Sequence, residues 1–370
     1  MVKVKDIIAI MEKYFPLHLA EDWDNVGLQA GSREKEVKRI VIALDLDEQM
    51  VEEALKSEAD LIITHHPLFF KAIKNIDYNK PGGRLLKSII AADLAVYSAH
   101  TNLDAAEAGM NQVLAEKLGL KNIQPLFAGS EDKLVKLAVF VPFTHLKQVR
   151  EAINKAGAGH IGNYSDCSFQ TAGTGTFRPL DGSKPFLGSQ GILAETDEYR
   201  LETIAYEHDI ERIIQAMIDA HPYEEAAYDV YPLLNRGKIY SIGRKGLWPE
   251  TADLKACARQ IKARLNLDTI KIAGEMGKTI RQVAVIGGSG ASLIPKIITQ
   301  DIDLLITGDI KYHEAQEANK FGLAVIDAGH QETEQIIVPY IKSLLMAQIN
   351  HADNEIEIFT LKNEPVFKYL

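Results

Sequence analysis

The stretch "DLIITHHPLFF", Asp60 to Phe70, runs an apolar, strand-like segment straight into two imidazoles, His65 and His66, and then a proline. "HTNLD" ends on Asp104, and "DAGHQETE" carries His330 and Glu334 four residues apart, on one face if a helix starts at the Gly329 turn. Neighbours on a regular strand point to opposite faces and seldom bind one ion together. At a strand end broken by Pro67 they can instead splay toward two. The plainer reading of the pair alone is two polar residues in a loop. Three imidazoles and two carboxylates form a mixed nitrogen and oxygen set that suits zinc, manganese or iron better than calcium or copper(I). Five donors exceed what one catalytic ion with open positions takes. Two divalent ions about 3.5–4 Å apart, bridged by one carboxylate and a water or hydroxide, would use them all.

Such residues need elements that deliver them to one place. "RIVIALD" (Arg39 to Asp45), "DLIIT" (Asp60 to Thr64) and "LAVYSAH" (Leu94 to His100) are strand-like runs separated by helical patterns such as "DEQMVEEALKSE". This β-α-β order predicts a buried, largely parallel sheet. The grammar returns in "QVAVIGG" (Gln282 to Gly288), "DLLIT" (Asp303 to Thr307) and "LAVIDAGH" (Leu323 to His330). "DLIITHH" against "DLLITGD", and "LAVYSAHT" against "LAVIDAGH", predict two related α/β halves forming one discontinuous domain, residues 1–125 and 246–370. Parallel strands present their carboxyl ends at one sheet edge, where ligands sit in α/β folds, so the polar clusters should converge. Residues 126–245 read differently: two β-α-β-like units around the Gly-, Thr- and Ser-rich "TAGTGTFRPLDGSKP" predict an inserted ferredoxin-like α+β module.

The 370 residues suffice for two domains, and 46% hydrophobic with 25% charged residues is ordinary for a globular chain. A formal net charge of -10 argues against a broad electrostatic grip on nucleic acid or an anionic membrane. Cys167 and Cys257 have neither disulfide-framework nor thiolate-zinc spacing, which fits a reducing compartment. "MVKVKDIIAIMEKYF" is an amphipathic helix pattern interrupted by charge, and no run reaches membrane-span length, so a cytoplasmic location is expected.

Several other residues have two readings. His100, Asp309 and His313 could orient ligands or move protons, or simply cap helices. "VIGGSGASLI", Val285 to Ile294, matches no full phosphate-binding fingerprint and reads as a tight structural turn. In "HPYEEAAYDVYPL", Pro222 holds His221 extended, which favours structural use over a metal role.

"WDNVGLQ", "THHPLFF", "HTNLD", "TGDIKYHEA" and "DAGHQETE", in that order, resemble the Nif-three-like dinuclear-metal family, often labelled a GTP cyclohydrolase one type two homolog. "HPYEEAAYDVYPL" is similar to the CutA- and PII-like insert of its longer bacterial members. The resemblance implies that His65, His66, Asp104, His330 and Glu334 are metal ligands. It further implies that His66 and Asp104 serve one ion and His65 and His330 the other, with Glu334 bridging. Trp23, Asp24 and Asn25 would line the entrance, and the chains would assemble as toroidal hexamers. Two functions are expected to compete. One is a metal-dependent hydrolase acting through a bridging hydroxide on a small anionic or nucleotide-like substrate, GTP by the family label. The other is a metal-trafficking or regulatory hexamer whose insert receives a ligand or partner.

Overall fold

Aliphatic and β-branched runs flanked by turn residues become short strands buried on both faces, which is what a parallel sheet covered by helices requires. The computed structural model describes residues 1–127, 129, 131–349 and 356–368. The chain divides into two compact units, Met1–Ser130 with Tyr240–Leu370, and Glu131–Ile239.

In the first unit, Arg39–Ala43, Leu61–Thr64 and Ala95–Ser98 run parallel, with Ala43, Thr64 and Ser98 as register partners at their carboxyl ends. Gly27–Ala30 closes one edge antiparallel and Glu357–Thr360 the other edge parallel, giving five strands. A six-stranded sheet is built on the parallel strands Thr279–Ser289, Leu304–Gly308 and Ala324–Asp327. Lys271–Ala273 lies antiparallel at one edge, while Arg244–Asp253 and then Lys121–Pro125 extend the other. Each sheet therefore takes an edge strand from a distant part of the chain.

Helices cover these sheets with one apolar face. Val4–Tyr14 buries Ile7, Ile8 and Met11, and Ile337–Gln348 buries Ile341 and Leu345, in the core around Ile40, Ile42, Leu61 and Ile63. Leu254–Leu265 packs Cys257 and Ile261 over Val283, Leu304 and Ile326 of the second sheet. Such burial contributes roughly 1.5–3 kcal/mol per large aliphatic side chain.

The second unit is a β-α-β-β-α-β sequence: Leu134–Pro142, Leu146–Lys155, Ser168–Phe177, Ala194–Tyr206, Ile210–Ala220 and Tyr228–Pro232. Its antiparallel sheet has the spatial order second, third, first, fourth strand. Val149, Ile153, Ile213 and Met217 of the helices pack on Val135, Leu137, Val139 and Leu201. Its borders lie inside the 126 and 245 expected from the sequence, because the Lys121–Pro125 pairing continues through a Leu126 N–H to Gly243 carbonyl bond of 3.3 Å. Among the described residues no helix is long and apolar enough to cross a membrane.

Candidate functional site

The strands of the first sheet stop level with one another, and the next residues carry the reactive side chains. Thr64 fixes the exit: its hydroxyl bonds Ser98 Oγ at 2.8 Å and donates to the His66 carbonyl at 2.8 Å, while the His66 N–H reaches the Leu44 carbonyl at 3.0 Å. Asp104 lies on the one-turn helix Thr101–Ala105, which His100 immediately precedes. On the second sheet, Gly329, with φ +91°, turns the chain into the helix His330–Glu334.

Four imidazoles are held in the same way. His65 Nδ1 donates to the Ala99 carbonyl at 2.9 Å, His66 Nδ1 to Asp45 Oδ1 at 2.7 Å, His330 Nδ1 to Asp309 Oδ2 at 2.7 Å, and His100 Nδ1 to Asp24 Oδ1 at 3.0 Å. Oxygen acceptors hold a proton on each Nδ1 and leave each Nε2 as the nitrogen that takes a second proton or a metal. Those of the three paired rings meet carboxylates. Glu334 Oε2 is 3.2 Å from both His66 Nε2 and His330 Nε2, and its Oε1 is 3.6 Å from His65 Nε2. Asp104 Oδ1 is 3.7 Å from His65 Nε2. Ligand atoms of His66, His330 and Glu334 converge within 4.8 Å, as do those of His65, His66 and His100.

These approaches lie outside hydrogen-bond geometry, so His65 Nε2, Asp104 Oδ1 and Glu334 Oε2 are buried without a hydrogen-bond partner. Orphaned buried polar atoms are costly, and three aimed into one cluster fit a cation better than three separate defects. All five predicted ligand residues are thus brought together. Glu334 contacts His65, His66 and His330, and Asp104 contacts His65.

Charge in the cluster is strongly coupled. Burial opposes the protonated ring of His66, but the Asp45 and Glu334 carboxylates outweigh it and push the ring up to about 10. For His330, the Glu334 carboxylate prevails over burial and, with Asp309, raises it to about 9. Burial raises the Asp104 carboxyl, while Glu334, although buried, is held well below the carboxylate range by His65, His330 and His66. Burial also opposes Asp24 ionisation, yet hydrogen bonds from His100 and Thr101 keep its carboxyl far below the usual range.

Trp23, Asp24 and Asn25 do gather here. Trp23 is exposed with its ring centroid 6.0 Å from that of His100, Asp24 anchors His100, and Asn25 Nδ2 donates to the Phe69 carbonyl at 2.8 Å, holding the loop that carries Phe70. Phe70 stands 5.7 Å from His100 and 6.3 Å from His66. Of the three expected orienting residues, His100 and Asp309 join the cluster. His313 does not: it is exposed on the helix Tyr312–Lys320 with its ring against Tyr312.

Asp45 was missed as a site residue, although it ends "RIVIALD" at the same sheet edge. The glycines of "VIGGSGASLI" also serve the site. A Cβ on Gly288 would lie 2.1 Å from Glu334 Oε1 and 3.1 Å from His330 Nε2, and φ is +62°. The helix after this turn, Ile294–Ile297, is a single turn. Gly288→Ala is expected to displace Glu334 and lower metal affinity by at least about tenfold, the scale of disturbed ligand positioning. Titration of the purified variant with zinc checks this, and wild-type affinity would contradict it.

Comparison with known proteins agrees with this architecture. The Duf34/NIF3 (NGG1p interacting factor 3) family profile matches residues 2–365. The chain is 39% identical to a "GTP cyclohydrolase 1 type 2 homolog" of Halalkalibacterium halodurans over 361 residues, 97% of each chain. A Bacillus subtilis protein of the same name is 39% identical over 363 residues, 98% of this chain and 97% of that one. Among solved structures, a Bacillus cereus protein related to NIF3 has a TM-score of 0.88 at 38% identity, covering 100% of this chain and 99% of the other. The chain therefore belongs to the Duf34/NIF3 family.

Proposed function

We propose that the cluster is a dinuclear metal centre and that the protein is a metal-dependent hydrolase. The carrying observation is the trio of buried, unpartnered atoms, His65 Nε2, Asp104 Oδ1 and Glu334 Oε2, surrounded by rings whose Nδ1 atoms are already committed. His65, His66, Asp104, His330 and Glu334 would hold the pair, with Glu334, in contact with all three histidines, the carboxylate placed to serve both ions. Zinc, manganese or iron suits this donor set. Bound there, a metal pair supplies a nucleophile at neutral pH and a clamp for an oxygen-rich substrate.

The chain's own residues would do the rest. His100, its Nδ1 proton committed to Asp24, offers Nε2 beside the cluster for moving a proton. Trp23 and Phe70 flank it with exposed rings. The name of the curated relatives makes GTP the first substrate to test. A regulatory or metal-trafficking role is the second reading, favoured by a separate unit, Glu131–Ile239, that contributes none of these residues. We read that unit as a ferredoxin-like, PII-like insert from its strand order, and the two mixed sheets as related halves from their shared three-strand parallel arrangement. A homohexamer follows from the family resemblance, and light scattering giving a monomer's mass would count against it.

Metal analysis of the purified protein, followed by turnover assays on GTP, other nucleotides and phosphoesters, tests the proposal. About two ions per chain and turnover of one class are expected. Bound metal without turnover would leave the regulatory reading, and no bound metal would remove both.

Metal uptake should release protons. Their carboxylate neighbours push the His66 and His330 rings up from the ordinary 6.5 to about 10 and about 9, so the fold stabilises their charged forms. That stabilisation is fully present below pH 6.5 and is lost as pH rises through 9 to 10. A metal needs the neutral rings, so apparent affinity should rise with pH across this window. Calorimetry in buffers of different ionisation enthalpy reads the released protons; a buffer-independent heat at pH 7 would refute the coupling.

A further inference from the structure

The Glu131–Ile239 unit contains a cavity of about 390 Å³, within the usual range for small-molecule sites. Phe140, Phe177, Phe186 and Tyr223 contribute aromatic wall. The Phe177 and Phe186 rings lie 5.9 and 6.1 Å from that of Tyr223. Glu198 also lines it, on the strand Ala194–Tyr206, and is only 7% exposed. Tyr223 Oη donates to Glu198 Oε1 at 2.8 Å, while Oε2 accepts no hydrogen bond among the described residues. Among the described residues no lysine or arginine forms an ion pair with this carboxylate: Arg178, at the exposed rim, donates instead to the Gly191 carbonyl at 3.3 Å.

The local sequence is arranged around this acid. A Cβ on Gly175 would lie 2.2 Å from Glu198 Oε2, so the absence of a side chain on the neighbouring strand is what admits the carboxylate. His221, which tempts a metal assignment, is spent on structure: Nε2 donates to the Phe140 carbonyl at 3.0 Å and Nδ1 accepts the Tyr223 N–H at 3.1 Å. Those two bonds set the Tyr223 ring and hydroxyl against Glu198. The unpaired Oε2 thus faces an aromatic-walled cavity, where an ammonium can take the place of a lysine or arginine partner. Aromatic faces attract the same partner through their quadrupoles.

We propose that this cavity is a binding site for a small organic cation, an ammonium on an aromatic or branched apolar body. The ammonium pairs with Glu198 Oε2 and the body lies among Phe177, Phe186 and Tyr223. Charge sets the selectivity, since a neutral or anionic molecule of the same shape leaves the carboxylate unmatched.

Isothermal titration of the full chain with phenethylammonium, 2-phenylethanol and 3-phenylpropionate tests this. The cation is expected to bind in the millimolar range or tighter, with the alcohol weaker and the carboxylate weakest. Glu198→Gln keeps an acceptor for Tyr223 and should weaken the cation by about tenfold or more, the scale of a lost charge-assisted hydrogen bond. Phe186→Ala alters an exposed wall residue, leaves thermal unfolding unchanged and should also weaken binding. No binding of the cation to the wild type, equal binding of all three probes, or unchanged affinity in folded Phe186→Ala would each overturn the proposal.

Discussion

Replacing Glu334 with glutamine is expected to remove at least one of two metal ions per chain, and both at low metal concentration. Glu334 is 3% exposed and contacts all three candidate histidine ligands. Glutamine has nearly the same shape, so loss of packing cannot explain the effect. It is neutral, however, and its amide nitrogen has no lone pair for a cation, so one of two bridging contacts disappears with the charge. Loss of such a ligand should cost well over the roughly 10–100-fold seen when only a supporting residue is changed. The comparison is Asp45→Asn, which leaves every ligand in place and weakens only the hold on His66 Nδ1. Affinity should therefore fall in the order wild type, Asp45→Asn, Glu334→Gln. Metal analysis with competitive chelation gives the ranking, and equal metal content in all three would remove Glu334 from the centre.

Much of this site was legible because chemistry and periodicity coincide. "DLIIT" and "DLLIT" become Leu61–Thr64 and Leu304–Gly308, every residue of both strands buried, and the histidines and acids follow at the strand ends. Helical spacing likewise puts His330 and Glu334 on one face. What was not legible depends on contacts between distant segments. Nothing local marks Asp45 as the partner of His66, since an acid after a strand serves equally as a turn or helix cap. The pairing of Asp24 with His100 spans 76 residues. Gly288 reads as a turn glycine until Glu334 is seen in the space a side chain would take. Period counting also cannot show that Glu357–Thr360 pairs with Arg39–Ala43, or that Lys121–Pro125 joins the second sheet. The division of the ligands depends on how rings and carboxylates orient, which spacing leaves open.

The largest stability loss is expected from Arg244→Met. Arg244, 4% exposed, begins the strand Arg244–Asp253 and turns its guanidinium inward. Nη1 donates to the carbonyls of Ser241 and Gly243 at 2.7 and 3.0 Å, Nη2 to those of Ala105 and Ala106, and Nε to Gln112 Oε1 at 3.2 Å. Burial lowers its pKa, the mark of a cation kept from water by its surroundings. Ala105 and Ala106 immediately follow Asp104, so the same fork that ties residues 241–244 to the helix end also sets the position of a candidate ligand. Methionine fills a similar volume but leaves several carbonyls short of a donor. At about 1.5–3 kcal/mol for each hydrogen bond to a charged group, partly offset by water entering and by the relief of desolvation, a net loss of about 3–5 kcal/mol is expected. Lysine should recover only part of it, because a single ammonium cannot reproduce the planar fork. Urea unfolding of metal-free wild type, Arg244→Lys and Arg244→Met should give midpoints falling in that order. Metal affinity should fall in parallel, because Asp104 loses its anchor. A methionine variant as stable as the wild type would show that water satisfies these carbonyls as well as the guanidinium does. A variant that is destabilised but binds metal normally would separate the strut from the site.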